Sequence, residues 1–86
     1  MDIGVEISLY PLRADFVPSI TEFLERLRKH RTVRVTTNSM STQLFGSYEE
    51  VMEALRSELC TTFQTLSDRA DKAVFVMKVI GPLPAA

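Results

Sequence analysis

Thr36-Thr37-Asn38-Ser39-Met40-Ser41-Thr42 stands near the middle of the 86-residue chain, and every residue in it but Met40 carries a hydroxyl or a carboxamide. Strand pairs in a small domain ordinarily hold more Val, Ile and aromatic side chains. The stretch therefore reads as a hairpin whose turn falls near Asn38-Ser39, because Asn and Ser bond their own backbone in tight turns. The same short donors and acceptors suit a small polar ligand, and composition leaves both uses open.

Working outward, residues 32–38 form a strand with Val33 and Val35 inward, and Met40 to Phe45 form its partner, closed by Gly46. On the N-terminal side Ile3, Val5, Ile7 and Leu9 alternate with Gly4, Glu6, Ser8 and Tyr10, the signature of a half-buried strand that Pro11 ends. Asp15 can cap a helix with Pro18 in its first turn. Phe16, Ile20, Phe23, Leu24 and Leu27 recur at helical spacing behind it. On the C-terminal side Ser47-Tyr48-Glu49-Glu50 is a capping box. Met52, Leu55, Leu59, Phe63 and Leu66 then make an apolar stripe, and Asp68 to Asp71 break it. Ala73 to Ile80 is a last strand, and residues 81–86 form a short tail that cannot continue the ladder.

The order is βαββαβ over residues 1–86, read as a single domain. With right-handed crossovers it folds most simply as an α+β, ferredoxin-like four-stranded antiparallel sheet of order 4-1-3-2, both helices on one face. The other face is open. It carries Glu6, Ser8 and Tyr10, then Arg34, Thr36 and Asn38, then Ser41, Gln43 and Phe45, then Val74, Val76, Lys78 and Ile80. So much apolar area on a small protein marks an interface or a pocket. A core this size gains from a staple or a partner. The one cysteine, Cys60, closes no internal disulfide, and with one histidine, His30, no four-ligand zinc site is expected. Self-association into a homodimer or larger assembly is the expected source of extra stability.

Charge and composition exclude more than they propose. Ten basic and eleven acidic residues give a formal charge of −1, which draws neither nucleic acid nor an anionic membrane. No apolar run approaches the ~20 residues of a membrane span. The start Met1-Asp2-Ile3-Gly4 lacks the basic region of a signal peptide. A lone cysteine suits a reducing compartment, and a cytoplasmic location is expected.

Catalysis is not expected either. His30 sits in the basic run Arg28-Lys29-His30-Arg31 and reads as solvated, Cys60 reads as an edge-of-core thiol, and the three glycines are isolated, so no phosphate loop exists. RNA recognition on this fold needs stacking aromatics on the central strands, and the third strand offers only Phe45. The open face has a more specific constellation. Tyr10 or Phe45 offers a ring surface, Ser41 and Asn38 offer hydrogen-bonding edges, and Glu6 tolerates a cation, a set suited to a flat, positively charged heteroaromatic ligand. The bland alternative is that Glu6 pairs with Arg34 or Lys78 across the sheet.

Val5-Glu6-Ile7-Ser8-Leu9-Tyr10-Pro11-Leu12, Asp15-Phe16-Val17-Pro18 and Met40-Ser41-Thr42-Gln43-Leu44-Phe45-Gly46 ahead of Tyr48-Glu49-Glu50-Val51-Met52 resemble the YkoF family over the chain as far as Ile80. The resemblance implies a non-catalytic protein that binds thiamine or its hydroxymethylpyrimidine half, with no resident cofactor or metal. It carries over to Ser8 and Tyr10 on the first strand and to Ser41 and Thr42 on the third. A pocket between the first helix and the hairpin, rather than on the open face, would favour Thr37 and Asn38. YkoF itself resembles two such domains in tandem, so two copies of this chain are the natural substitute. The other functional class is a ligand-free structural or regulatory dimerisation module, with RNA binding third.

Overall fold

The computed structural model describes residues 1–15 and 17–84. It contains β1 (Asp2–Pro11), α1 (Val17–Arg28), β2 (Arg34–Thr37), β3 (Thr42–Ser47), α2 (Tyr48–Ser67) and β4 (Ala73–Leu83). The sheet is antiparallel and ordered β2-β3-β1-β4, the ferredoxin-like arrangement expected from the sequence. Strand alternation in β1 sends Ile3, Val5 and Ile7 under the helices, where they meet Leu44 of β3, Phe23 and Leu27 of α1, and Val51, Ala54 and Leu55 of α2. Phe16, expected on the first helical stripe, and Ala85 and Ala86 of the tail lie outside the described residues.

One half of the capping box at α2 forms, the N-cap bond of Ser47, and among the described residues Glu50 makes no return bond to the Ser47 N–H. The Ser47 side chain accepts the Glu50 backbone N–H at 3.3 Å, and Glu49 and Glu50 sit in the positive first turn. The stripe behind it differs from the expected one. Val51, Ala54, Leu55, Glu58, Thr62 and Leu66 are buried, whereas Met52 and Phe63 are exposed. Two polar residues occupy the interior because α1 and the turn just after it supply their partners. Glu58 Oε1 accepts Arg26 Nε at 2.8 Å, its Oε2 lies 2.6 Å from His30 Nε2, and Arg26 Nη2 donates to Thr62 Oγ1 at 2.5 Å. Arg26 and His30 are thus interhelical residues rather than solvated ones. Cys60, expected at the edge of the core, is exposed.

The last strand also runs past its expected end. Leu83 pairs with Asp2 after a register shift between Asp2 and Gly4, with a cis peptide at Gly81-Pro82. An irregularity on an edge strand is where a sheet tolerates proline, so residues 81–83 extend the ladder instead of leaving it. Residues opposite one another on paired strands share a face. Met77 and Val79 therefore belong to the helical side, opposite Ile7 and Val5. The helices meet β4 at Phe75, whose ring lies 5.1 Å from Phe23 and 5.4 Å from Phe63. Beyond it they leave Val79 54 % exposed, while Ile80 on the open side is 63 % exposed. β4 is an apolar edge strand uncovered on both faces.

Candidate functional site

The structure divides the expected site residues between two hollows. Ser8 and Tyr10 of β1, Thr37 and Asn38 at the end of β2, and Ser41 and Thr42 at the start of β3 all line a cavity of about 190 Å³ between α1 and the hairpin. Glu6 and Phe45 line a second hollow of about 270 Å³ on the open face, with Gly4, Gln43, Lys78 and Ile80. The placement between helix and hairpin is the one that gathers most of the set.

Each wall of the first cavity has a local cause. The hairpin wall is held by an Asx turn in which Asn38 Oδ1 accepts the backbone N–H of Met40 at 2.7 Å and of Ser41 at 3.0 Å, while Asn38 N–H donates to the Ser41 carbonyl at 3.1 Å. Those bonds delay β3 until Thr42, two residues after its expected start. Thr37 is steadied by Arg28, whose Nη2 donates to Thr37 Oγ1 at 3.3 Å. Thr42 is 8 % exposed and its side chain makes no hydrogen bond among the described residues, so its small accessible surface belongs to the cavity. The floor is Ile7 and Leu9, and the helical wall is Ile20, Phe23 and Leu24. Those three helical residues were legible only as core positions. The helical spacing that marks them as apolar does not say that part of their surface faces a hollow.

Among the described residues no charged side chain lines this cavity. A carboxylate acts from outside it: Ser41 Oγ donates to Glu6 Oε2 at 3.1 Å, which ties the hairpin to the open face. Among the described residues no ion pair joins Glu6 to Arg34 or Lys78, although Lys78 is opposite it in register. Arg34 is engaged elsewhere, its guanidinium carbon 4.9 Å above the centre of the Phe45 ring. Phe45 can lie along the sheet because position 4 has no side chain: a Cβ there would stand 2.9 Å from the ring's Cε1. The ring is covered by the Arg34 guanidinium on the open face.

Among the described residues no group of three or more His, Cys, Asp or Glu is placed to hold a metal ion, and no helix is long and apolar enough to cross a membrane.

Comparison with known proteins bears on the family and the fold. The model of the YKOF-related family matches residues 2–76. No curated protein matches the chain significantly. Among solved structures, a hypothetical protein from Methanocaldococcus jannascii superposes with a TM-score of 0.78 at 23 % identity, over 99 % of this chain and 84 % of its own. A protein from Thermotoga maritima, named for a proposed role in thiamine biosynthesis or salvage, gives 0.67 at 15 % identity over 95 % of this chain and 85 % of its own. A domain of unknown function from Bacillus cereus gives 0.74 at 14 % identity over 95 % and 77 %. At these identities the three structures establish the fold alone.

Proposed function

The chain belongs to the YKOF-related family, and from that membership we propose that it is a non-catalytic, cytoplasmic binding protein for thiamine or its hydroxymethylpyrimidine half, working as a homodimer or larger assembly. The observation that carries this reading is the cavity between α1 and the hairpin, where six residues with short polar or phenolic side chains border an apolar floor. Such a site is mostly apolar with a few placed polar groups, as small-molecule pockets are. Its volume of about 190 Å³ is below the ~300–1,000 Å³ usual for whole ligands. One heteroaromatic ring enters, and the remainder of a larger molecule rests at the rim near Tyr10. The uncharged lining favours the neutral pyrimidine inside and leaves the cationic thiazolium outside, at the rim. The name of the Thermotoga protein supports thiamine chemistry on this fold.

Calorimetric titration of the purified protein with thiamine and with hydroxymethylpyrimidine tests the reading. Binding is expected in the wild type. Ser41→Ala and Tyr10→Ala should each weaken it about tenfold, since a lost hydrogen bond or ring contact is worth roughly 1–2 kcal/mol. Absence of heat with both ligands at millimolar concentration would overturn the binding reading, and wild-type affinity in both variants would move the site elsewhere. The alternative, a dimerisation module without a ligand, is favoured by one feature: the exposure of β4 on both faces.

A further inference from the structure

The hydrogen bonds around the hairpin fix the polarity of two groups in the cavity, and this deepens the binding reading on which it rests. Asn38 Oδ1 is held by two backbone N–H donors, from Met40 and Ser41. Both partners can only donate, so the oxygen and nitrogen of this carboxamide are assigned unambiguously. What Asn38 has left for a ligand is its Nδ2, a donor. Ser41 Oγ lies 3.1 Å from Glu6 Oε2. An ionised carboxylate only accepts, so the hydroxyl proton of Ser41 is committed to Glu6, and what Ser41 offers a ligand is its lone pairs. Both residues line the same cavity, where these bonds leave Asn38 a donor and Ser41 an acceptor for a ligand.

We propose that Glu6 is a positioning residue that selects the ligand's hydrogen-bonding edge by locking Ser41 as an acceptor. The complementary edge is a ring nitrogen that accepts from Asn38 Nδ2 beside an exocyclic amine that donates to Ser41 Oγ, the edge of a neutral aminopyrimidine. Molecules whose edge only accepts leave Ser41 facing a lone pair. Carboxylates, phosphates and alkoxypyrimidines belong to that class, and for the anions there is no cationic side chain among the described residues of the lining to compensate. The role of Glu6 is thereby different from a direct partner for a cation: it acts through the serine, from the other face of the sheet. Its own side chain is exposed on that face, so replacing it does not disturb the core.

The test compares two probes that differ at one substituent, 4-amino-5-hydroxymethyl-2-methylpyrimidine and its 4-methoxy counterpart, in calorimetric titrations of wild type, Glu6→Ala and Asn38→Asp. Wild type is expected to favour the amino compound by about tenfold, the factor that one unpaired hydrogen-bonding group in a pocket produces. In Glu6→Ala the serine hydroxyl is free to turn and donate, so the methoxy compound should gain affinity and the preference should fall to about threefold or less. A merely structural glutamate would lower both affinities together and leave their ratio alone. Asn38→Asp retains the acceptor that holds the turn but replaces the donor by a second acceptor, and should lose the amino compound about tenfold with an unchanged melting temperature. An unchanged ratio in Glu6→Ala, with wild type binding the amino compound, would overturn the positioning role while leaving the proposed function standing. Equal affinity of wild type for the two probes would overturn the fixed polarity. If neither probe binds to wild type, the binding function falls and this inference falls with it.

Discussion

Replacing Glu58 by alanine should destabilise the protein more than any other polar substitution on α2. The carboxylate is one of the few polar groups inside the core, with its residue 7 % exposed, and it accepts from Arg26 at 2.8 Å and faces His30 at 2.6 Å. Breaking a buried pair by removing one partner costs about 3–5 kcal/mol because the other charge is left without compensation. Here Arg26 and His30 retain side-chain exposures of 24 % and 28 %, so water recovers part of their solvation and the loss should be about 2–3 kcal/mol. A chain of this length has roughly 4–13 kcal/mol of stability in total. At about 4–8 °C per kcal/mol, the melting temperature should fall by roughly 10–20 °C. Thermal and urea unfolding followed by far-UV circular dichroism measure the change directly. Arg26→Met with Glu58→Met should recover most of the loss, because an apolar pair of similar volume has no charge to desolvate. A loss below ~0.5 kcal/mol for Glu58→Ala, the range of ordinary surface substitutions, would refute the argument that this cluster joins the two helices.

Three further outcomes follow from other parts of the fold. Val76→Glu places a charge on the exposed apolar strip of β4 and should shift sedimentation at micromolar concentration from dimer toward monomer, while the isolated fold survives because Val76 is not in the core. Ser47→Ala removes the acceptor for the Glu50 N–H and should cost about 1 kcal/mol in urea unfolding. Arg56, hydrogen-bonded to Glu53 at 2.6 Å, holds that carboxyl below its usual range. Arg56→Ala should return the Glu53 titration to the ordinary carboxylate range by NMR, without a measurable change in unfolding, because both groups are fully exposed.

The elements of the fold were legible because their local signals agree. Strict alternation from Ile3 to Leu9, the Ser47 capping box and the polar turn at Asn38 each specify one structure, and together they leave few ways to arrange the chain. What periodicity could not show was pairing across the molecule. The stripe on α2 was misread by letting Met52 and Phe63 outrank Glu58 and Thr62. Burial of a glutamate makes sense only once Arg26 and His30, 32 and 28 residues earlier, are known to face it. The end of β4 was missed for a similar reason, since Pro82 argues against a strand unless a register shift and a free edge accommodate it. The polar residues of the candidate site were named from their types and strand positions. The helical wall of Ile20, Phe23 and Leu24 was not, because a residue that packs in a core and one that borders a hollow share the same spacing. The donor and acceptor roles of Asn38 and Ser41 depend on bonds that only the folded hairpin makes.

The pairing of Asp2 with Leu83 has a consequence for how the molecule is made. β1, made before the other three strands of this sheet, is central, and one whole side of it waits for β4, made after them. A nascent chain that has reached Asp71 already holds both helices and three strands, yet it exposes the backbone edge of β1 on the very strand whose Ile3, Val5 and Ile7 anchor the core. Contacts between distant parts of a chain slow folding because loop closure precedes their reward. Synthesis should therefore pass through a stage in which this sheet is open at its middle strand, and a chain truncated before Ala73 should be captured by chaperones or by its own kind. The reverse of that arrangement is useful at the bench: with Asp2 beside Leu83, a short linker could join β4 to β1, and the chain could be opened in the exposed loop around Arg69 and Ala70 without removing any strand from the sheet.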